Sequence, residues 1–327
     1  MGRSNRILCA ALLTFPLAAC GGGGGGEVAS LPPPPPTPPG VARAPVSAPV
    51  MPTETFTSLA ASVGRTVNSH GSFGPYVAAL AGPNQTVIGR DAAGGYAITL
   101  PLYSQTADGS SQIVDRKVEF SADTLEATVG QKLYKTIQSP KSSAANYDSI
   151  LYIYEGRGAN YFGDVGLEHV SFGQLQTCNT ATGTGCNVES AVYGAAYFVF
   201  GDATPGGEIP LSGTAGYSGK LYGFAELTGD VSLSVNFASQ SISGAFTNMK
   251  SDSEYGIGPV PDLGLSGSIG KGGSLSGTLT SGGNSATQAG QWNATFFGPA
   301  AREIGGAFLI EGVVESPIPG VFGLRKK

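Results

Sequence analysis

From Thr55 to the end of the chain, apolar side chains recur at alternate positions in short runs rich in β-branched and aromatic residues, and glycines punctuate the runs. The stretch DVSLSVNFAS shows the pattern most clearly. Val231, Leu233, Val235 and Phe237 fall on one side, and Ser232, Ser234 and Asn236 on the other. Successive side chains of a strand point to opposite faces, so this alternation predicts half-buried strands. Gly95–Tyr103, Arg116–Phe120, Ser149–Glu155, Val165–Thr177 and Ala191–Gly201 read the same way. Only Phe56–Val67 and Ala122–Lys135 hint at short helices. The fold class expected is all-β.

The last third is the most regular part. Eight strands are expected there: Gly213–Leu227, Asp230–Ser239, Gln240–Asn248, Leu263–Gly270, Ser274–Thr280, Ala289–Phe297, Ile304–Glu311 and Gly320–Lys326. Short joints such as TGD, GKGG and SGGNS suggest hairpins. Eight antiparallel strands in hairpin succession close most naturally into an up-and-down barrel, whose interior is just filled by side chains. Three echoes, ISGAF (Ile242–Phe246), LSGSI (Leu265–Ile269) and LSGTL (Leu275–Leu279), each set a glycine inside a strand. Such a glycine permits sharp curvature or close backbone approach, so the echoes read as architecture. The organisation expected is a β-rich domain over residues 54–205 and an eight-stranded barrel over residues 206–327.

Composition changes the picture at the other end. Glycine supplies 51 of 327 residues and charged residues only 13%, against about 7% and about 25% in an average domain. Residues 20–53 hold six consecutive glycines and then the tracts Pro32–Pro36 and Pro38–Pro39. Glycine-rich chain is a flexible coil and polyproline a stiff spacer rising about 3.1 Å per residue, so this segment reads as a tether. Residues 1–19 have the parts of a secretory signal: Arg3 and Arg6, an apolar stretch from Ile7 to Ala19, and small residues before Cys20. As a helix that stretch would rise roughly 20 Å, short of the ~30 Å hydrocarbon core of a bilayer. LAAC resembles the lipobox of bacterial lipoproteins, which implies cleavage before Cys20 and acylation of that residue. One acyl chain anchors only reversibly and several anchor durably, so Cys20 is expected to hold the protein on a membrane. In bacterial lipoproteins an aspartate after the cysteine favours the inner membrane; Gly21 stands here, which implies the outer one.

The net charge is −5, and no basic block stands out beyond Arg325-Lys326-Lys327, so nucleic acid is not an expected partner. Cys178 and Cys186, eight residues apart across a Thr/Gly/Asn loop, are poorly spaced for CxxC redox chemistry, and a structural disulfide is the expectation. His70 and His169 are the only histidines, which removes most metal-site and triad designs. Each is a candidate haem ligand and, alternatively, a surface or structural residue. Tyrosines such as Tyr152, Tyr154 and Tyr161 suit either an interface stripe or strand formation. GYSGK and GLSGS fall one residue short of a nucleophile elbow, and GSIGKGG lacks the final Ser or Thr of a phosphate loop. No enzyme, resident metal or cofactor is expected.

The residues FGDATPGGEIPLSGTAGYSGKLYG, VNFASQSISGAF and WNATFFGPAAREIGGAFLIEG…GVFGLRKK carry a resemblance to the carboxy-terminal barrel of the transferrin-binding protein B family of bacterial surface lipoproteins. The matched positions include Gly213-Thr214-Ala215, Tyr217, Gly219, Phe297-Gly298-Pro299, Glu303, Gly305-Gly306, Phe308, Phe322-Gly323 and Lys326-Lys327. Factor H-binding protein and the haemoglobin- and haem-capturing surface lipoproteins are similar. The resemblance covers Ala191–Lys327, and residues 54–205 correspond by position to the handle domain that precedes the barrel. It implies a lipoprotein carried across the outer membrane by a dedicated translocon, anchored at Cys20 and facing the exterior. It further implies capture of a host or environmental iron or haem protein, or haem itself, for delivery to a TonB-dependent receptor. Transferrin-binding protein B has two lobes, whereas this chain has room for one. The alternative is a structural, adhesive or immune-factor-binding surface lipoprotein without an iron role.

Overall fold

The computed structural model describes residues 54–67, 73–82, 85–105, 111–120, 125–128, 131–138, 147–154, 165–179, 192–251, 259–282, 287–311 and 317–327. Cys20, His70 and Cys186 lie outside them, as do the signal and tether.

Ten strands form the first sheet: β1 (Glu54–Val67), β2 (Phe73–Ala81), β3 (Val87–Arg90), β4 (Tyr96–Gln105), β5 (Ser111–Phe120), β6 (Leu125–Thr128), β7 (Gln131–Gln138), β8 (Tyr147–Tyr154), β9 (Val170–Asn179) and β10 (Val192–Gly201). Their order is β5-β4-β3-β1-β10-β9-β8-β7-β6, with β2 pairing β1 as a branch. β1 is the pivot. Glu54–Phe56 pairs with β3, the stretch from Ala60 onward pairs with β2, and the opposite edge pairs with β10. At its centre, residues 58–64 of β1 and 194–200 of β10 are covered on both faces. Ile98, Leu100, Phe120, Leu151, Leu175 and Phe198 fill a core on one side, while Leu59, Val63, Val170, Phe172, Tyr197 and Val199 face the barrel that follows. A strand buried on both faces reads as a continuous apolar run rather than an alternating one.

That property explains the helix expectations the structure overturns. Phe56–Val67 lies within β1, where Leu59 and Ala61 turn one way and Ala60 the other, all wholly buried. The double burial erases the period of two. Ala122–Lys135 contains β6 and the start of β7, paired from Leu125↔Tyr134 to Thr128↔Gln131, and β7 pairs in turn with β8. Helix propensity in a short Leu/Glu/Ala run is a weak preference that ladder pairing overrides. The expected strand over Val165–Thr177 begins only at Val170.

The sheet is followed, within the same compact unit, by a closed barrel of eight antiparallel strands: β11 (Thr214–Gly223), β12 (Leu227–Asn236), β13 (Ser241–Lys250), β14 (Leu263–Ile269), β15 (Ser274–Ser281), β16 (Thr287–Phe297), β17 (Glu303–Ile310) and β18 (Ile318–Lys326), with β18 returning to β11. The all-β architecture, an open sheet followed by an eight-stranded up-and-down barrel, is therefore as expected. One joint differs. The first turn of the barrel is Phe224–Glu226, and Thr228-Gly229-Asp230 lies inside β12, at a register shift against β13.

The barrel is a packed core. Phe246 meets Phe308 and Phe322 edge-on, with centroids 5.2 and 5.7 Å apart, and Trp292 meets Phe322 at 6.2 Å. Of the echoed glycines, Gly267 makes room for that tryptophan, the single one in the chain, while Gly244 and Gly277 admit neighbouring backbone. Gly267, Gly277 and Trp292 stand in register across β14, β15 and β16. A Cβ on Gly267 would lie 2.6 Å from the Trp292 ring, and one on Gly277 would lie 1.9 Å from the Ser266 carbonyl oxygen. Outside, Ser234, Ser243, Ser266 and Thr278 align across β12 to β15 as an uncharged hydroxyl row.

Candidate functional site

The most heavily constructed region is the seam where the first sheet meets the barrel. On β12 the burial alternates, because its outer face meets water; on β17 every residue is buried. Ile304, Phe308 and Ile310 point into the barrel, while Ala307 points outward into the seam. β18 behaves likewise, with Phe322 and Leu324 inside and Val321 in the seam. Glycines permit this close approach. A Cβ on Gly305 would lie 2.6 Å from Val170, and one on Gly323 would lie 2.5 Å from the Phe172 ring. Tyr197 of β10 and Tyr222 of β11 meet edge to face across the seam, with centroids 5.8 Å apart. Gly305 of EIGGAF and Gly323 of GVFG are therefore sockets for apolar side chains of the sheet, while Gly306 and Gly320 admit Phe322 and Phe308 inside the barrel.

A polar latch pins one end of this apolar contact. The Glu303 side chain is wholly buried. Its Oε1 accepts the Glu168 N–H at 2.7 Å and its Oε2 the His169 N–H at 2.9 Å. A buried carboxylate is tolerable only with such charge-assisted bonds. Around it, Arg325 Nη1 donates to the Gly166 carbonyl at 2.6 Å, and the Glu168 carboxylate lies 3.6 Å from Arg325 and 3.7 Å from Arg302. Thr204 adds a second tie, its hydroxyl donating to the Gly298 carbonyl at 2.6 Å and its N–H to Phe296 at 2.9 Å. The connection Gly298–Arg302 carries positive φ at Gly298, Ala300 and Ala301. The Ala301 carbonyl accepts the Tyr217 hydroxyl at 2.7 Å. Burial pushes the Tyr217 phenol well above its ordinary range.

His169 belongs to this seam. Its imidazole lies against Gly298, where a Cβ would come within 2.2 Å of the ring, and its carbonyl lies against Gly201. The other candidate, His70, lies outside the described residues. Tyr154 is buried in the seam core and Tyr152 packs beside it, while Tyr161 lies outside the described residues. Cys178 sits on β9 opposite Val192, and its expected partner Cys186 lies outside the described residues. No three His, Cys, Asp or Glu side chains among the described residues converge as a metal site.

A cleft of about 340 Å³ opens beside the latch. Val165 lines it from the sheet side, and Ser218, Lys220, Arg325, Lys326 and Lys327 line it from the barrel. Lys220 donates to Asp230 at 2.6 Å, and Asn248 donates to the other carboxylate oxygen at 2.8 Å. Those two bonds, Lys220 first, hold the Asp230 carboxyl below the usual carboxylate range. In sequence Arg325-Lys326-Lys327 stands only as a short basic block, and Glu303 only as a position of the family resemblance. An acid heading the otherwise apolar run EIGGAFLI was the available signal for the latch.

Residues 209–326 match the family of C-lobe and N-lobe beta barrels of Tf-binding protein B. No curated protein matches the chain. Among solved structures, a transferrin binding protein B double mutant from Haemophilus parasuis Hp5 is similar at 13% identity, over 84% of this chain and 76% of that one, with a TM-score of 0.39. The isotype 1 transferrin binding protein B from serogroup B Neisseria meningitidis is similar at 12% identity, over 84% and 77%, with a TM-score of 0.35.

Proposed function

We infer, from a chain whose residues 209–326 form a barrel of the transferrin-binding protein B type, that the protein is an outer-membrane surface lipoprotein that captures an iron-bearing ligand. Cys20 is the acylated anchor, residues 21–53 are the reach behind it, and the sheet and barrel are the displayed body. The single observation carrying this reading is the family match of the barrel together with the lipobox-like LAAC before Cys20. The ligand is a host or environmental iron protein, or haem with His70 or His169 as its ligand, and the recipient is a TonB-dependent receptor. The scaffold does not name the ligand, because function resides in sites grafted on a fold.

A second reading, a structural or adhesive surface lipoprotein, draws support from the uncharged hydroxyl row on β12 to β15. Growth separates the two. Deleting the gene should slow growth on one iron-loaded protein or haem as sole iron source while leaving growth on free ferric iron unchanged. Equal growth on every source would remove the iron role and leave the adhesive reading.

A further inference from the structure

We propose that the cleft between Val165 and the β11–β18 edge of the barrel binds a compact phosphate-bearing anion. The protein as a whole is acidic, at −5, yet four of the seven residues lining this cleft are basic and none is Asp or Glu. The register explains the concentration. β18 pairs with β11 so that Tyr217 faces Lys326, Ser218 faces Arg325 and Lys220 faces Gly323. Residues far apart in sequence are thereby set on neighbouring strands, and what reads in sequence as a basic tail is the wall of a concave site.

The basic groups are differently committed. Lys220 is neutralised in part by Asp230 at 2.6 Å. Arg325 is oriented by the Gly166 carbonyl and by Glu168, which restricts its planar fork before any ligand arrives. Among the described residues, neither Lys326 nor Lys327 has a carboxylate within ion-pair distance, although both backbones are tied down: Lys326 N–H donates to Arg302 and Lys327 N–H to Gly216. The Lys327 ammonium on a held backbone, one oriented guanidinium and the Ser218 hydroxyl make a donor set for tetrahedral oxyanions, with Lys326, which pairs with Tyr217, beside them at the barrel rim. Phosphate, with more charge and more acceptor oxygens than a carboxylate, uses such a set best. The volume of about 340 Å³ lies at the small end of ligand sites, the size of a phosphate with a short substituent. A free phosphate ester and the phosphate of a lipid headgroup share this chemistry.

The test uses the full chain carrying Cys20→Ala, so that no acyl chain contributes to vesicle binding. Pyrophosphate is titrated by calorimetry, and flotation compares phosphatidylglycerol vesicles with phosphatidylcholine vesicles. Two variants are compared: Lys326→Ser/Lys327→Ser, which keeps both backbone bonds, and Lys117→Ser on the first sheet as a control, with Trp292 fluorescence reporting that each is folded. Saturable pyrophosphate binding without flotation assigns a soluble phosphate ester. Flotation with phosphatidylglycerol only, competed by pyrophosphate, assigns a lipid headgroup. In either case the double variant should bind at least tenfold more weakly and the control should be unchanged. The proposal is overturned if neither probe binds, or if the folded double variant binds as the parent does.

Discussion

The wholly buried carboxylate of Glu303 accepts the backbone N–H of His169 at 2.9 Å, joining two residues 134 positions apart across the seam between the open sheet and the barrel. The bond gives the seam a register that apolar packing alone does not specify. Glu303→Gln keeps the shape but turns an amide donor toward one of the two N–H groups, so one charge-assisted bond is lost and the other weakened. The expected loss is about 1–3 kcal/mol, read as a lowered urea midpoint at unchanged slope. A midpoint equal to the parent's would show that the latch contributes nothing.

Gly277→Ala tests the packing of the barrel. The new methyl would lie 1.9 Å from the Ser266 carbonyl oxygen, on a strand position paired with Trp292. Overpacking of this kind costs about 1–3 kcal/mol, and the emission of Trp292 should shift to the red as the ring loses its dry setting. Gly206→Ala, where nothing lies within 4 Å, should leave both stability and emission unchanged.

Alkaline unfolding should depend on Tyr217. Its raised pKa means that the unfolded chain releases the phenol proton near pH 10 while the folded chain retains it. The folded state is thus fully favoured below pH 10 and loses stability as pH climbs above it. Tyr217→Phe removes the bond to Ala301, costing about 1 kcal/mol at neutral pH, and should flatten the alkaline fall. An unchanged alkaline limb would place that titration elsewhere.

Asp230 acts at the other end of the scale. Its pKa is lowered, so its contribution is present above the ordinary carboxylate value of about 3.9 and disappears as pH falls through the folded one. Both partners of the Lys220–Asp230 pair have side chains 42% exposed, which limits the contribution to at most about 1 kcal/mol. Asp230→Asn should lower stability slightly at pH 7 and not at all at pH 2. A larger loss at pH 2 than at pH 7 would reverse the assignment.

The legibility of this fold in sequence follows the number of covered faces. β12 to β15 have one face in the barrel core and one toward water, so their alternation marks them out to within three residues at each end. β1, β17 and β18 are covered on both sides, and there the period of two fades; β1 even suggests a helix. The glycines of EIGGAF and GVFG stand out as a motif, but the purpose of Gly305 and Gly323, sockets for Val170 and Phe172, depends on the packed sheet, which no local pattern reveals. The same holds for Glu303 and for the cleft. The latch needs His169 and the cleft needs Val165, and only tertiary structure brings either to the barrel.

Surface capture of an iron-bearing ligand is tested most directly by retention on intact cells. Cells displaying the lipoprotein are incubated with labelled iron-loaded transferrin, haemoglobin or haem, and bound label is measured before and after external protease and against cells carrying Cys20→Ala. The account predicts saturable retention of one of these, abolished by protease and absent from the Cys20→Ala cells. If antibody shows the folded protein on the surface and none of the three is retained, the iron-capture function is contradicted.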